Sequence, residues 1–303
     1  MSILSKRVGR VGMSQRSANF WLVLVTMSWG LSYVFLKALT PYLHPFEILA
    51  IRFTLSGALC CFIFRRRLAL LNRQVLWRGV VLGTIMFFCN LAIVTGVSTT
   101  DASTASFLTS TAIVIVPVAQ AVRHRHLPER KIILGTLGTT VGIALLSLEG
   151  GSFELSRGAS LCILSAFLYA AHIITTDAYC HGHDAILLGL IQQLTMGALG
   201  WIATLLFITP VFPQAPQVWL FLSGLVLICG AFAYTLQPLA QSFTTPEHTA
   251  LIFSMEPVFG AFFAFLFLGE VLSFQASCGA ILVLLSVLLT TVKRPDKNNR
   301  ALL

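Results

Sequence analysis

Ten apolar stretches, separated by short polar or basic segments, run along the chain near residues 20–39, 46–64, 75–97, 102–122, 132–149, 158–178, 185–208, 217–239, 247–268 and 274–292. Each is about twenty residues long, the length of helix that crosses a hydrocarbon core of about 30 Å. In lipid every backbone N–H and C=O needs a partner inside the protein, so runs of this kind predict helices. The alternating pattern of a membrane β-barrel is absent. The expected fold is an all-α membrane protein of ten transmembrane helices.

Composition agrees with that pattern. Hydrophobic residues make up 56% of the chain and charged residues only 10%, with a mean hydropathy of +0.86. A soluble chain of 303 residues needs far more charge to cover its surface. The net charge of +9 raises nucleic acid as a partner, but its distribution argues against it. Basic residues cluster before the first stretch, around Arg65–Arg67, Arg73 and Arg78, at Arg123, Arg125, Arg130 and Lys131, and after the tenth. With a cytoplasmic N-terminus all of these face the cytoplasm, which is the positive-inside bias, and both termini lie inside. The expected neighbours of the clusters are anionic lipid headgroups. The first stretch lacks a small-residue cleavage site and reads as an uncleaved helix. Met1 and Met13 each head a plausible start.

The chain divides into a basic tail (1–19), two groups of five stretches (20–149 and 150–292) and a second basic tail (293–303). An offset of about 140 residues aligns the two groups. Trp29 through Tyr33 then meets Tyr169 through Ile173, Lys37 meets Asp177, and Arg52 meets Gln192. Pro117 falls one residue from the counterpart of Pro257, while Glu129 pairs with Glu270 and Gly138 with Gly279 at an offset of 141. Early in the fourth and ninth stretches the register slips by about one turn. Five crossings per half make the halves point oppositely. Inverted repeats of this kind underlie many secondary transporters, with the solute site at mid-membrane where the halves meet.

Several of these stretches carry a family resemblance. Trp29-Gly30-Leu31-Ser32-Tyr33, Arg52-Phe53, the segment from Thr100 through Leu108 leading to Pro117, Glu256-Pro257-Val258-Phe259-Gly260-Ala261, Leu268-Gly269-Glu270 and Gly279 resemble the EamA-type ten-helix carriers of the drug/metabolite transporter superfamily. The likeness spans roughly residues 20–292. It implies transport of small metabolites, often amino acids and often outward. The first half departs from the pattern by having Val116-Pro117 where the second has Glu256-Pro257.

Glu256 is the sharpest candidate residue, because an ionisable group inside a span is expensive and usually functional. Its expected roles are binding a substrate amine, carrying a proton or bracing an interhelical network, with Pro257 opening a polar niche beside it. Arg52 suits a substrate carboxylate, or else an ion pair with Glu47 or Asp101 at an outer gate. Lys37 and Asp177 read as snorkelling or gate charges, and Glu270 as a structural charge. Trp29, Tyr33, Tyr169 and Tyr234 are candidate cavity walls, with Asn90, His172, Gln192, Gln193 and Gln237 as polar contacts. Gly138 and Gly142 form a G-x-x-x-G pair, and Gly260 and Gly279 are further small positions for close helix packing. Cys180-His181-Gly182-His183-Asp184 reads as a polar cytoplasmic loop whose spacing matches no standard zinc pattern. No metal and no cofactor is expected, and coupling to protons is the candidate driving force.

No HExxH, nucleophile elbow or Walker motif is present. The expected activity is secondary transport of a small organic solute across a bacterial cytoplasmic membrane rather than catalysis. An integral membrane enzyme or scaffold for lipid-linked substrates, and a passive channel, are the alternatives. The pattern leaves the oligomeric state open.

Overall fold

The computed structural model describes residues 13–99, 105, 108–147, 157–180, 182–211, 213–268 and 274–291. Among the described residues the regular structure is helical throughout. We number the helices α1 (Gln15–Leu39), α2 (Pro45–Ile63), α3 (Arg73–Thr99), α4 (Ala112–His124), α5 (Arg130–Ser147), α6 (Arg157–Cys180) and α7 (Ala185–Phe207). They continue as α8 (Pro216–Val226), α9 (Ala233–Gln241), α10 (Pro246–Phe253), α11 (Glu256–Leu268) and α12 (Phe274–Thr291). A single π-helical turn, Leu227–Phe232, joins α8 to α9 without a break. Among the described residues, seven helical segments are long and apolar enough to cross a membrane, counting α8–α9 and α10–α11 as one segment each.

Local chemistry sets several boundaries. α1 begins at Gln15, before the apolar run itself, because Ser14 Oγ accepts a hydrogen bond from Ser17 N at 3.2 Å. α2 starts with a reciprocal cap in which His44 Nδ1 accepts from Phe46 N and Glu47 Oε2 accepts from His44 N at 2.9 Å. Asp184 Oδ1 accepts from both Ile186 N and Leu187 N at the start of α7. Cys180 is the buried last residue of α6 and not part of a loop. Its Sγ donates to Pro238 O at 3.4 Å, which holds that last turn against α9.

Two helices are interrupted at related places. Leu108–Ser110 is helical, Thr111 breaks the path, and α4 follows. In the second half Ser254 and Met255 separate α10 from α11. At both breaks a hydroxyl bonds the carbonyl three residues back: Thr111 Oγ1 to Leu108 O at 2.6 Å and Ser254 Oγ to Leu251 O at 2.5 Å. That bond offers the backbone an alternative to helical continuation. Pro117 sits within α4 without a break, whereas Pro257 occupies the first turn of α11, where its missing N–H costs nothing.

Packing follows the repeat. α2 lies on α7 and α5 on α12, and in each case the pair consists of sequence counterparts. Both pairs run antiparallel. Gly57 of α2 meets Leu194 and Ala50 meets Gly200 of α7, while Gly138 of α5 meets Ser286 and Gly142 meets Val283 of α12. The contact of α1 with α8 and α9 is mirrored by that of α6 with α3, and α1 on α11 by α6 on α4. Large apolar side chains such as Phe62, Val122, Leu206, Phe207 and Phe265 remain exposed on the outside. A lipid environment accepts such a surface and water does not.

Candidate functional site

The centre of the bundle holds an aromatic cluster built from four helices. The Trp29 ring lies 5.2 Å from that of Tyr234, 6.1 Å from Tyr169 and 5.0 Å from Phe253, and Tyr169 stacks parallel on Phe253 at 5.7 Å. Trp29 and Tyr33, four residues apart on α1, share a face. Close approach of α1 to α11 at Gly30 brings that face to the α10–α11 break. A Cβ at Gly30 would stand 2.6 Å from Phe259 Cβ and 2.8 Å from Gly260 N.

Two charged side chains enter this apolar enclosure. Arg52 is 1% exposed, and its Nη2 donates to Cys229 O at 2.9 Å. Cys229 belongs to the π turn, whose wider winding alters the α-helical bonding of its carbonyls. The guanidinium also lies 4.8 Å from the Phe53 ring and 5.8 Å from the Tyr234 ring, within cation–π range. Glu256, 8% exposed, opens α11. Its carboxyl is within hydrogen-bonding reach of the Tyr33 hydroxyl and within electrostatic reach of Arg52.

Between them lies a cavity bordered by Trp29, Tyr33, Arg52, Asn90, Tyr169, Tyr234 and Glu256. The space open to water centres is about 30 Å³, enough for a water or two. Asn90 and Tyr234 exchange hydrogen bonds at 3.0 and 3.3 Å. Among the described residues, three bordering side chains keep a buried N–H or O–H group without a protein partner: Trp29 Nε1, Arg52 Nε and Tyr169 Oη. Unpaired buried donors cost about 1–3 kcal/mol each, so this concentration marks the place where a polar ligand is best received. A wider groove of about 600 Å³, lined by His44, Phe46, Phe88, Leu91, Leu164 and Leu168 among others, has among the described residues no Asp, Glu, Lys or Arg in its wall and no unpaired buried donor.

Not every candidate joins this site. His172, Gln192 and Gln237 are fully buried but border a separate cluster toward the α6–α7 connection. Glu47 does not reach Arg52, since its two oxygens accept from His44 N and Val211 N. Lys37 is an exposed residue in the last turn of α1, and Asp177 is half-buried near the end of α6; each has a partner of its own. Gly138, Gly142 and Gly279 hold α5 against α12, while Gly260 adjoins Gly30 and Tyr33. Asp101, Glu270 and His181 lie outside the described residues. Sequence reasoning missed Phe253, Cys89 and Thr109 beside the cavity, because nothing in their type separates them from packing residues. It also missed Gln241, although its place four residues after Gln237 in an apolar span was a usable signal.

Helical spans, two interlocking halves and a charged pocket at their junction define an integral membrane protein with an internal repeat. Comparison with known proteins places it more closely. The profile of the EamA-like transporter family matches residues 16–148 and again 156–292, and the chain belongs to that family. It is similar to two proteins of Archaeoglobus fulgidus, each described as an uncharacterized transporter. One is 26% identical over 97% of this chain and 92% of the relative, the other 28% identical over 90% and 96%. A solved structure titled only as the crystal structure of a protein superimposes with a TM-score of 0.76. It covers 92% of this chain and 97% of that one at 16% identity, a likeness of fold.

Proposed function

We infer that the protein is a secondary carrier that moves a small zwitterionic solute, an amino acid or a related compound, outward across the cytoplasmic membrane. The observation that carries this reading is the pairing of Arg52 and Glu256 across one small aromatic enclosure. Arg52 Nε, Trp29 Nε1 and Tyr169 Oη are donors suited to a carboxylate. Glu256 is the acceptor suited to an ammonium group, and the aromatic faces around it favour a cation as well. The same carboxylate is the candidate proton carrier when the solute is absent.

Alternating access between two inverted five-helix halves, with both termini cytoplasmic, gives such a site its two openings. The antiparallel meeting of counterpart helices supports the inversion, and the basic clusters support the orientation. A cavity that admits only a water or two is smaller than any amino acid. Loading therefore requires Trp29, Tyr169 and Phe253 to separate, and the present arrangement corresponds to a closed conformation of the carrier.

Counterflow in proteoliposomes against a panel of metabolites tests the reading. Saturable exchange of a compound bearing both amine and carboxylate is expected, with exchange lost in Glu256→Gln while the protein remains folded. Flux without counterflow would indicate a channel, and the absence of any saturable exchange would count against a carrier.

A further inference from the structure

Beyond the central site, toward the end of the molecule where α6 gives way to α7, lies a second polar cluster that is wholly buried. His172, Gln192, Gln193, Gln237 and Gln241 have no exposed area. Two parallel stripes form it. On α6 Tyr169, His172 and Thr176 follow one another at i, i+3 and i+7, and on α9 Tyr234, Gln237 and Gln241 repeat the same spacing, so each set occupies one helix face. Each stripe begins at an aromatic wall of the central cavity and ends within a turn or so of its helix terminus.

The cluster is only partly satisfied. His172 Nε2 meets Gln192 Oε1 at 3.0 Å, Gln193 Nε2 donates to Thr235 Oγ1 at 3.1 Å, and Gln241 Nε2 donates to Ile173 O at 2.6 Å. Among the described residues, four of its atoms have no protein partner: His172 Nδ1, Gln192 Nε2, Gln193 Oε1 and Gln237 Oε1. Amides that merely glue helices together would be paired, and leucines in their place would leave nothing unmet. A neutral seam with this many unmet groups suits a conformation in which water reaches it. Where the seam runs out, Arg67 pairs with Asp184 at 2.6 Å and Arg78 Nη1 meets His183 Nδ1 at 2.7 Å, with the Arg78 guanidinium 5.1 Å from the Tyr179 ring. These contacts join the α2–α3 region of one half to the α6–α7 region of the other.

We propose that the amide seam between α6, α7 and α9 is the inner half of the solute path, shut in this conformation, and that the Arg67–Asp184 pair is its latch. The proposal rests on the carrier reading above. The seam has both donors and acceptors and no fixed charge, so it takes water and the neutral hydrogen-bonding groups of a solute without trapping an ion. A charged solute reaches the centre through this hydrated, uncharged entrance and is held there.

Native cysteines make the test direct. Cys60 sits in the seam, 3.2 Å from Thr235 Oγ1, and Cys180 lies at its end, whereas Cys162 is equally buried in another cluster with Ala105 and Leu108. In lipid nanodiscs, where both faces meet the reagent, a membrane-impermeant maleimide is applied to the wild-type chain and to Arg67→Ala, and each thiol is followed by peptide mass spectrometry. Labelling of Cys60 and Cys180 is expected to rise several-fold in Arg67→Ala while Cys162 is unchanged. No rise, or an equal rise at Cys162, overturns the proposal. Gln237→Leu provides a second arm: solute exchange falls with folded protein retained if the seam is a path, and exchange that persists at the wild-type rate overturns it. Wild-type counterflow with an unreactive seam would refute the seam and leave the carrier, whereas no counterflow at all would overturn both.

Discussion

At the scale of single residues, the site depends on what its neighbours lack. Gly30 has no side chain, and only for that reason can α1 press against α11 closely enough to bring Trp29 and Tyr33 beside Glu256. An added methyl would lie 2.6 Å from Phe259 Cβ and 2.8 Å from a backbone nitrogen, and backbone cannot step aside as a flexible side chain can. Gly30→Ala is therefore expected to cost about 1–3 kcal/mol through overpacking. The midpoint of thermal unfolding in detergent should fall, and an unchanged midpoint would mean that the two helices do not meet this closely. Arg52 and Glu256 illustrate the complementary rule. A lone ion in such an enclosure would be prohibitive, but Arg52 has a carbonyl, two ring faces and a facing carboxylate to offset its desolvation.

At the scale of elements, irregular backbone clusters around the site. The π turn, the Thr111 interruption and the α10–α11 break all involve the helices that border the cavity or pack beside it. The π turn carries the carbonyl that Arg52 bonds, and the α10–α11 break places Glu256 at a helix start. The α5–α12 pair is the opposite case, regular and, among the described residues, contributing no side chain to the pocket. A Cβ at Gly142 would come within 2.8 Å of Gly279 O and 2.9 Å of Val283 Cγ2. Gly142→Leu should force this pair apart and lower thermal stability, with solute exchange by the remaining folded protein near the wild-type rate. Loss of exchange at unchanged stability would instead tie α5–α12 to the transport cycle.

At the scale of the whole molecule, the exchange of contacts between halves is the organising feature. Helix α1 touches the second half where α6 touches the first, and α2–α7 and α5–α12 lie where counterparts meet. In the proposed carrier, an exchange of arrangement between the two halves would open the opposite side of the membrane. The orientation expected from the arginines has its own test. A cysteine introduced at Asn72 should react with an impermeant reagent only from the cytoplasmic face, and one at Ser152 only from outside. Reaction of both from the same face would break the assignment.

Much of this was legible in the sequence. The hydrophobic pattern located the helical stretches, because a lipid-embedded backbone has few other solutions. The offset between halves, with Glu256 and Arg52 as charges lacking twins, pointed to the residues that the structure brings to one cavity. Other features were decided only by tertiary structure. His172, Gln192 and Gln237 look like cavity residues by type, yet they line a separate seam, since a one-dimensional pattern does not say at what depth two helices meet. Glu47 looks like a partner for Arg52, yet helix capping and the Val211 amide claim it first. Residue type and periodicity determine which groups must be buried; which buried groups face one another depends on how closely the helices approach and where they break.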